Sequence, residues 1–202
     1  HGISLIRKFL NIGYENVVLR AFEFKSPLIA GPDRSGPPSE EKKIESLQTI
    51  AWLQFGQKLA VFDFTGDQYF SWIRSQRLLI RGERGEINNL EGCYLDDFRR
   101  PVRIRFERND AGQTGNLEGY YHKGYGAGGE DWYQNPFAPG RLSDDEIAVA
   151  TCLELMRRYL ETGKSFYSLA EASQDHYLSL MIGEAARRAR TLESSYQVWQ
   201  QS

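Results

Sequence analysis

The chain has 202 residues, 41% of them hydrophobic, with 11 Phe, 11 Tyr and 4 Trp. That is enough for a substantial core, and the length predicts one domain over 1–202. Lys and Arg total 25 against 27 Asp and Glu, a net charge of −2, so no single-sign field draws in nucleic acid or an anionic membrane. No apolar run reaches bilayer length and no signal-peptide pattern opens the chain, which predicts a cytoplasmic protein. Cys93 and Cys152 lie far apart without metal-ligand spacing. They read as two buried thiols in a reducing cytosol, with a disulfide as the alternative.

The first element begins at once. Ile3, Ile6 and Leu10 share a helical stripe, with Gly13 as a stop. A start at His1-Gly2-Ile3, without methionine or leading loop, reads as the product of truncation or proteolysis. Val17 to Phe24 reads as a β-strand. Ser26 to Lys43, rich in Pro and Gly, reads as a mobile loop over 26–43. Leu47 to Phe55 and Leu59 to Phe64 flank Gly56-Gln57 as the two arms of a hairpin. Leu78 to Ile80 and Val102 to Phe106 supply further strands, their apolar residues interleaved with Arg. Such patterning suits an antiparallel sheet with one face on the core and one in water. An apolar strip of Leu53, Phe55, Val61, Phe62 and Phe64 is expected on the sheet face opposite the helices.

Residues 111 to 140 mix glycine with Tyr120, Tyr121, Tyr125, Trp132 and Tyr133. This is too aromatic for a disordered linker and predicts an ordered excursion at a sheet edge. Ser143 with Glu146, and Ser168 with Glu171, are capping boxes that start two closing helices. The first runs to Gly163 and the second to about Arg190. Helix, strands, then helices without strand–helix alternation specify an α+β fold, a mostly antiparallel open sheet with helices packed on one face.

Candidate chemistry is sparse. Gly124-Tyr-Gly-Ala-Gly-Gly lacks the preceding apolar strand and following helix of a phosphate loop, so it reads as an irregular loop. Arg99, Arg100, Arg103, Arg105 and Arg108 read as a solvated face neutralised by nearby acids, the alternative being an anion strip. His176 reads as a surface or packing residue. Two readings stand for His122, surface and cleft. No histidine or cysteine pair has metal spacing, so no metal is expected.

Several segments nevertheless resemble one family. His1-Gly-Ile-Ser-Leu-Ile-Arg-Lys-Phe-Leu-Asn-Ile-Gly13 is similar to the H-x-x-x-L-x-R-x-L-x-x-x-G helix of Gfo/Idh/MocA oxidoreductases. Asp145 to Met156, Tyr159, Gly163 and Phe166 to Leu178 resemble that family's paired terminal helices, the second of the form L-x-E-A-x-x-D. Ser71 to Arg77 and Arg81 to Ile87 resemble its sheet, where a strand ends in a G-x-x-G-x-I turn. The resemblance implies a C-terminal domain, glyceraldehyde-3-phosphate-dehydrogenase-like in fold, whose preceding Rossmann domain holds NAD or NADP. It implies the substrate side of a dehydrogenase or reductase acting on a sugar, inositol or related polyol, inactive as residues 1–202 alone and binding no cofactor there. His1 would be catalytic, relaying the substrate hydroxyl proton; the other reading makes it a helix cap or a tag remnant. The resemblance covers residues 112 to 140 least; there it is the aromatic, glycine-rich texture that nominates His122, Tyr121 and Tyr125 to bind substrate, while the resemblance implies a homo-oligomer contact through the sheet. A non-catalytic carbohydrate-binding or assembly module of the same fold is the alternative.

Overall fold

The computed structural model describes residues 1–33, 35–112 and 120–201. They form two compact units: unit 1, His1–Gln76 with Tyr167–Ser202, and unit 2, Arg77–Phe166. In chain order, α1 (Gly2–Leu10), β1 (Val18–Ile29), β2 (Lys43–Phe55) and β3 (Lys58–Thr65) belong to unit 1. Unit 2 holds β4 (Leu79–Gly82), β5 (Gly85–Asn88), β6 (Glu91–Asp97), β7 (Arg100–Arg105), β8 (Glu107–Ala111), β9 (Tyr121–Ala127), β10 (Glu130–Gln134) and α2 (Asp144–Thr162). The chain then returns to unit 1 for α3 (Leu169–Arg188), β11 (Leu192–Glu193) and a 3-10 turn, Val198–Gln201. Among the described residues every strand pairing is antiparallel, and the fold class is α+β.

Unit 1 is a four-stranded sheet in the order β11-β1-β2-β3, with α3 packed on β1 and α1 against α3 and β3. Strand alternation decides which side chains enter the core. Leu19, Ala21, Ala51 and Leu53 point towards the helices and are fully buried with Leu178 and Ala185. The register pairs Ala51 with Phe62 and Leu53 with Ala60, so Phe62 shares the helix side and packs against that core.

The apolar strip expected on the open face is therefore corrected. Leu53 and Phe55 are core residues, and of the five only Val61, opposite Trp52, lies on the far face. Phe22 and Ile50 pair with each other there, and Phe22, Ile50, Leu59 and Val61 are all exposed. The loop boundary also moves. Ser26 to Ile29 pair in register with Ser46 to Lys43, because the β1–β2 ladder carries through Pro27 before the chain leaves it.

The two sequence motifs at the ends of unit 1 meet at Arg7. Its guanidinium donates to the Gly13 carbonyl through Nε (3.2 Å) and Nη2 (2.8 Å), to the Glu171 carbonyl (3.2 Å) and to Asp175 Oδ1 (2.6 Å). Asp175 Oδ2 accepts from the Tyr167 hydroxyl at 2.6 Å. The arginine and glycine of the opening pattern, with the acidic residues of the closing one, thus form one buried staple between α1 and α3.

Unit 2 carries a meander β4-β5-β6-β7 and a three-stranded sheet β10-β9-β8. Gly82 pairs with Gly85 across the β4–β5 turn. Just before unit 2, Ser71 to Gln76 of unit 1 contain no strand; the Ser71 hydroxyl instead accepts the Ile73 and Arg74 amides in a local turn. The 111–140 excursion supplies β9 and β10, joined at Gly128-Gly129 where both φ angles are positive (64° and 88°), a conformation that glycine adopts without strain. Its residues 113–119 lie outside the described residues. Both capping boxes form as read, on Ser143 and Ser168, and Gly163 caps α2 in the left-handed region.

Cys93 and Cys152 are free and exposed, not buried as the sequence reading had them. Cys93 faces outward from β6 opposite Arg103. No helix among the described residues is long and apolar enough to cross a membrane.

Candidate functional site

A dense, partly buried polar constellation in unit 2 grows from one strand. Arg108 and Asp110 are two residues apart on β8, so they share a face. The β8–β9 register shifts between Asn109 and Asp110: Asn109 faces Gly124 while Asp110 faces His122. Lys123 is thus an extra residue in β9, and this bulge turns His122 onto Asp110. His122 Nδ1 lies 2.8 Å from Asp110 Oδ1, and both side chains are nearly closed to solvent, 3% and 2% exposed. The Tyr133 ring stacks on the imidazole and the Tyr125 ring meets it edge-on.

Arg108 completes the cluster. Nε donates to Asp110 Oδ2 at 2.9 Å. Nη1 and Nη2 take the two Asp144 oxygens at 3.0 and 2.8 Å, and also reach the hydroxyls of Tyr125 (3.2 Å) and Tyr120 (3.3 Å). The bidentate pair to Asp144, in the first turn of α2, ties the helix to the sheet.

These contacts set the charge states. Burial pushes the Asp110 carboxyl up, but hydrogen bonds from His122 and Arg108 outweigh it and leave its pKa below the ordinary carboxylate value. The Arg108 hydrogen bond holds Asp144 low as well, and the Asp144 bond raises Arg108. Ionised Asp110 can only accept, so Nδ1 of His122 carries the hydrogen and the ring orientation is fixed. This is the arrangement of a positioned imidazole, with Asp110 as its anchor.

Beside the cluster opens a cleft of about 610 Å³, its lining including Arg108, Asp110, Tyr121, Lys123, Asp131 and Tyr133. Gly124 lets β9 and β10 approach: a Cβ there would sit 2.0 Å from the Tyr133 carbonyl oxygen. Asn135 is buried at its edge, donating to the His122 carbonyl and accepting from the Phe137 amide. Amide and carboxylate groups together with two tyrosine rings give a surface suited to hydroxyl-rich ligands, which present donors, acceptors and an apolar ring face.

Of the residues expected to bind substrate, Tyr121 lines this cleft, while His122 and Tyr125 lie in the cluster behind it. His1 belongs to unit 1, where it is the exposed N-cap of α1 without a side-chain capping bond. His176 is exposed on α3. Within the arginine set, Arg103 and Arg105 are exposed and only Arg108 enters the cluster. Sequence reading passed over Asp110 and Asp144. The only signal for the first was its placement two residues beyond Arg108 on a strand.

Gly124, Gly126, Gly128 and Gly129 lie in the β9–β10 hairpin, and the next helix begins only at Asp144. These residues do not fit a dinucleotide pyrophosphate, which needs amides at a helix start. No group of three or more His, Cys, Asp or Glu among the described residues could hold a metal ion. Comparison of the chain with family models, with curated proteins and with solved structures finds no match.

Proposed function

We propose that this chain is the substrate side of an NAD(P)-dependent dehydrogenase or reductase acting on a sugar, inositol or related polyol, in the cytoplasm. The observation that carries the reading is the cleft of unit 2. Its polar and tyrosine lining rests on the hydrogen-bonded Arg108–Asp110–His122 cluster, and such a site recognises hydroxyls through preset donors and acceptors. The sequence resemblance supplies the redox class. In this reading unit 1, with helices on one face of an open antiparallel sheet, is the glyceraldehyde-3-phosphate-dehydrogenase-like part, and its uncovered face forms the homo-oligomer contact.

NAD or NADP is assigned to a strand–glycine–helix domain outside this sequence, where it would supply hydride chemistry. For His1, in unit 1, the support is the sequence resemblance alone, which implies a hydroxyl proton relay, a task that an imidazole suits at neutral pH. Asp110 and His122 position the hydroxyl-binding wall.

The test is direct. Isotope-labelled chain titrated with myo-inositol and with glucose should shift backbone amides of β8, β9 and β10, and Asp110→Asn should weaken that binding. Absence of any shift in these strands refutes the carbohydrate reading. In the enzyme carrying its cofactor domain, His1→Ala should lower kcat by about 10²–10⁴-fold. Carbohydrate binding with no pyridine-nucleotide turnover supports the non-catalytic module instead, a reading that the same cleft allows.

A further inference from the structure

The geometry points to a cleft in unit 2 that takes an uncharged, hydroxyl-rich ligand and rejects its phosphorylated or carboxylated counterparts. This rests on the carbohydrate reading above and adds the charge class of the ligand. The reason lies in how Arg108 is used. A guanidinium captures phosphate or carboxylate through its fork of N–H donors, of which it has five. Here the Nε–H goes to Asp110, two further donors go to the Asp144 oxygens, and the last two go to the Tyr125 and Tyr120 hydroxyls. No donor is left to meet an anion, and the fork is already filled by the carboxylate of α2. An entering phosphate would have to displace Asp144 and give up the bidentate pair.

The remaining charges point the same way. Around the cleft Arg108 and Lys123 face Asp110 and Asp131, two cations against two carboxylates. Asp144, bound directly behind Arg108, adds a third negative charge. Both aspartates of the Arg108 cluster are held in the ionised form by their hydrogen bonds. Among the described residues an anion therefore meets a wall that is neutral to slightly negative, with Lys123 the one lining cation left to offset the cost of leaving water. A neutral polyol loses nothing by this arrangement. Gln134, whose Nε2 donates to Asp131 Oδ2 at 3.2 Å, keeps an amide oxygen for a ligand hydroxyl, and the Tyr121 and Tyr133 rings offer faces to the C–H side of a pyranose or cyclitol.

The experiment uses the labelled 202-residue chain at pH 7.5 in 0.15 M salt, read by amide shifts in β8, β9 and β10. Four probes are titrated: myo-inositol, glucose, glucose 6-phosphate and glucuronate. The expected result is affinity for at least one uncharged probe about tenfold or more above that for the two anions. Equal or tighter binding of glucose 6-phosphate or glucuronate overturns the inference while leaving the carbohydrate reading intact. If no probe shifts these amides, both fall. Asp131→Asn, an exposed substitution that keeps the shape of the side chain, should tighten glucuronate binding by about threefold, the effect of one charge at about 6 Å in a watery cleft. An unchanged ratio of glucuronate to glucose affinity in that variant refutes charge as the cause.

Discussion

Replacing Asp175 by Ala should destabilise unit 1 well beyond an ordinary surface substitution. Arg7 and Asp175 retain only 8% and 13% side-chain exposure at a separation of 2.6 Å. Removing one partner of a buried pair leaves an uncompensated charge, a loss of about 3–5 kcal/mol. Arg7 keeps its bonds to the Gly13 and Glu171 carbonyls, which places the expected loss near the lower end, about 3 kcal/mol. For a chain of this length that is a fall in Tm of about 6–12 °C. Urea unfolding followed by a unit 1 probe such as Trp52 fluorescence measures it. The double variant Arg7→Met, Asp175→Leu should lose less than the sum of the single losses, with a coupling of about 1–3 kcal/mol.

A second readout comes from Tyr167. Burial and then the Asp175 hydrogen bond push its phenol up to about 12, so the pair adds stability below the ordinary phenol value of ~10 that is lost between there and about 12. In Asp175→Ala the phenol should titrate part-way back towards the ordinary value. A loss under about 1 kcal/mol, with no coupling and an unmoved phenol, would refute the staple as a buried charge pair.

Three further outcomes are expected. Asp110 and Asp144 have lowered pKa values, so their contribution is complete above the unfolded carboxylate value of ~4 and disappears as pH falls through the lower folded values; Asp144→Asn should flatten acid unfolding of unit 2 below pH 4. Gly124→Ala should cost unit 2 about 1–3 kcal/mol or more in denaturant unfolding and abolish polyol shifts, since the new Cβ collides with the Tyr133 carbonyl. Val61→Asp, on the exposed sheet face, should weaken self-association tenfold or more in sedimentation, and an unaltered oligomer would exclude that face as the contact.

What could be read beforehand was local. The capping boxes at Ser143 and Ser168 and the stop at Gly163 need only residues three or four positions apart, and each formed. Alternation in 47–55 and 59–64 identified two strands, yet it could not say which face each presents; the register of β2 on β3 decided that, and it sent Phe55 inward and Val61 outward. The site was less legible still. Arg108 and Asp144 are 36 residues apart, and Asp110 meets His122 only because a one-residue bulge shifts the ladder. Periodicity carries no information about either. The tyrosines could be nominated as binding residues by type and texture, while the carboxylates that hold the arginine could not.

The Arg7 contact and the bond from the Val17 amide to the Ser194 hydroxyl join residues 168 and 177 positions apart, whereas unit 2 is one uninterrupted stretch. On a ribosome the β1–β3 hairpins therefore emerge long before α3, the helix that covers Leu19 and Leu53. Unit 2 can close its own contacts as soon as Phe166 has left the exit tunnel, while the sheet of unit 1 waits with α1 but without α3, which packs on β1. Such a delay exposes an aggregation-prone surface during synthesis. Slowed translation within α3, or truncation before Leu178, should make the nascent chain dependent on chaperones that bind extended apolar strands, with unit 2 already protease-resistant at that stage.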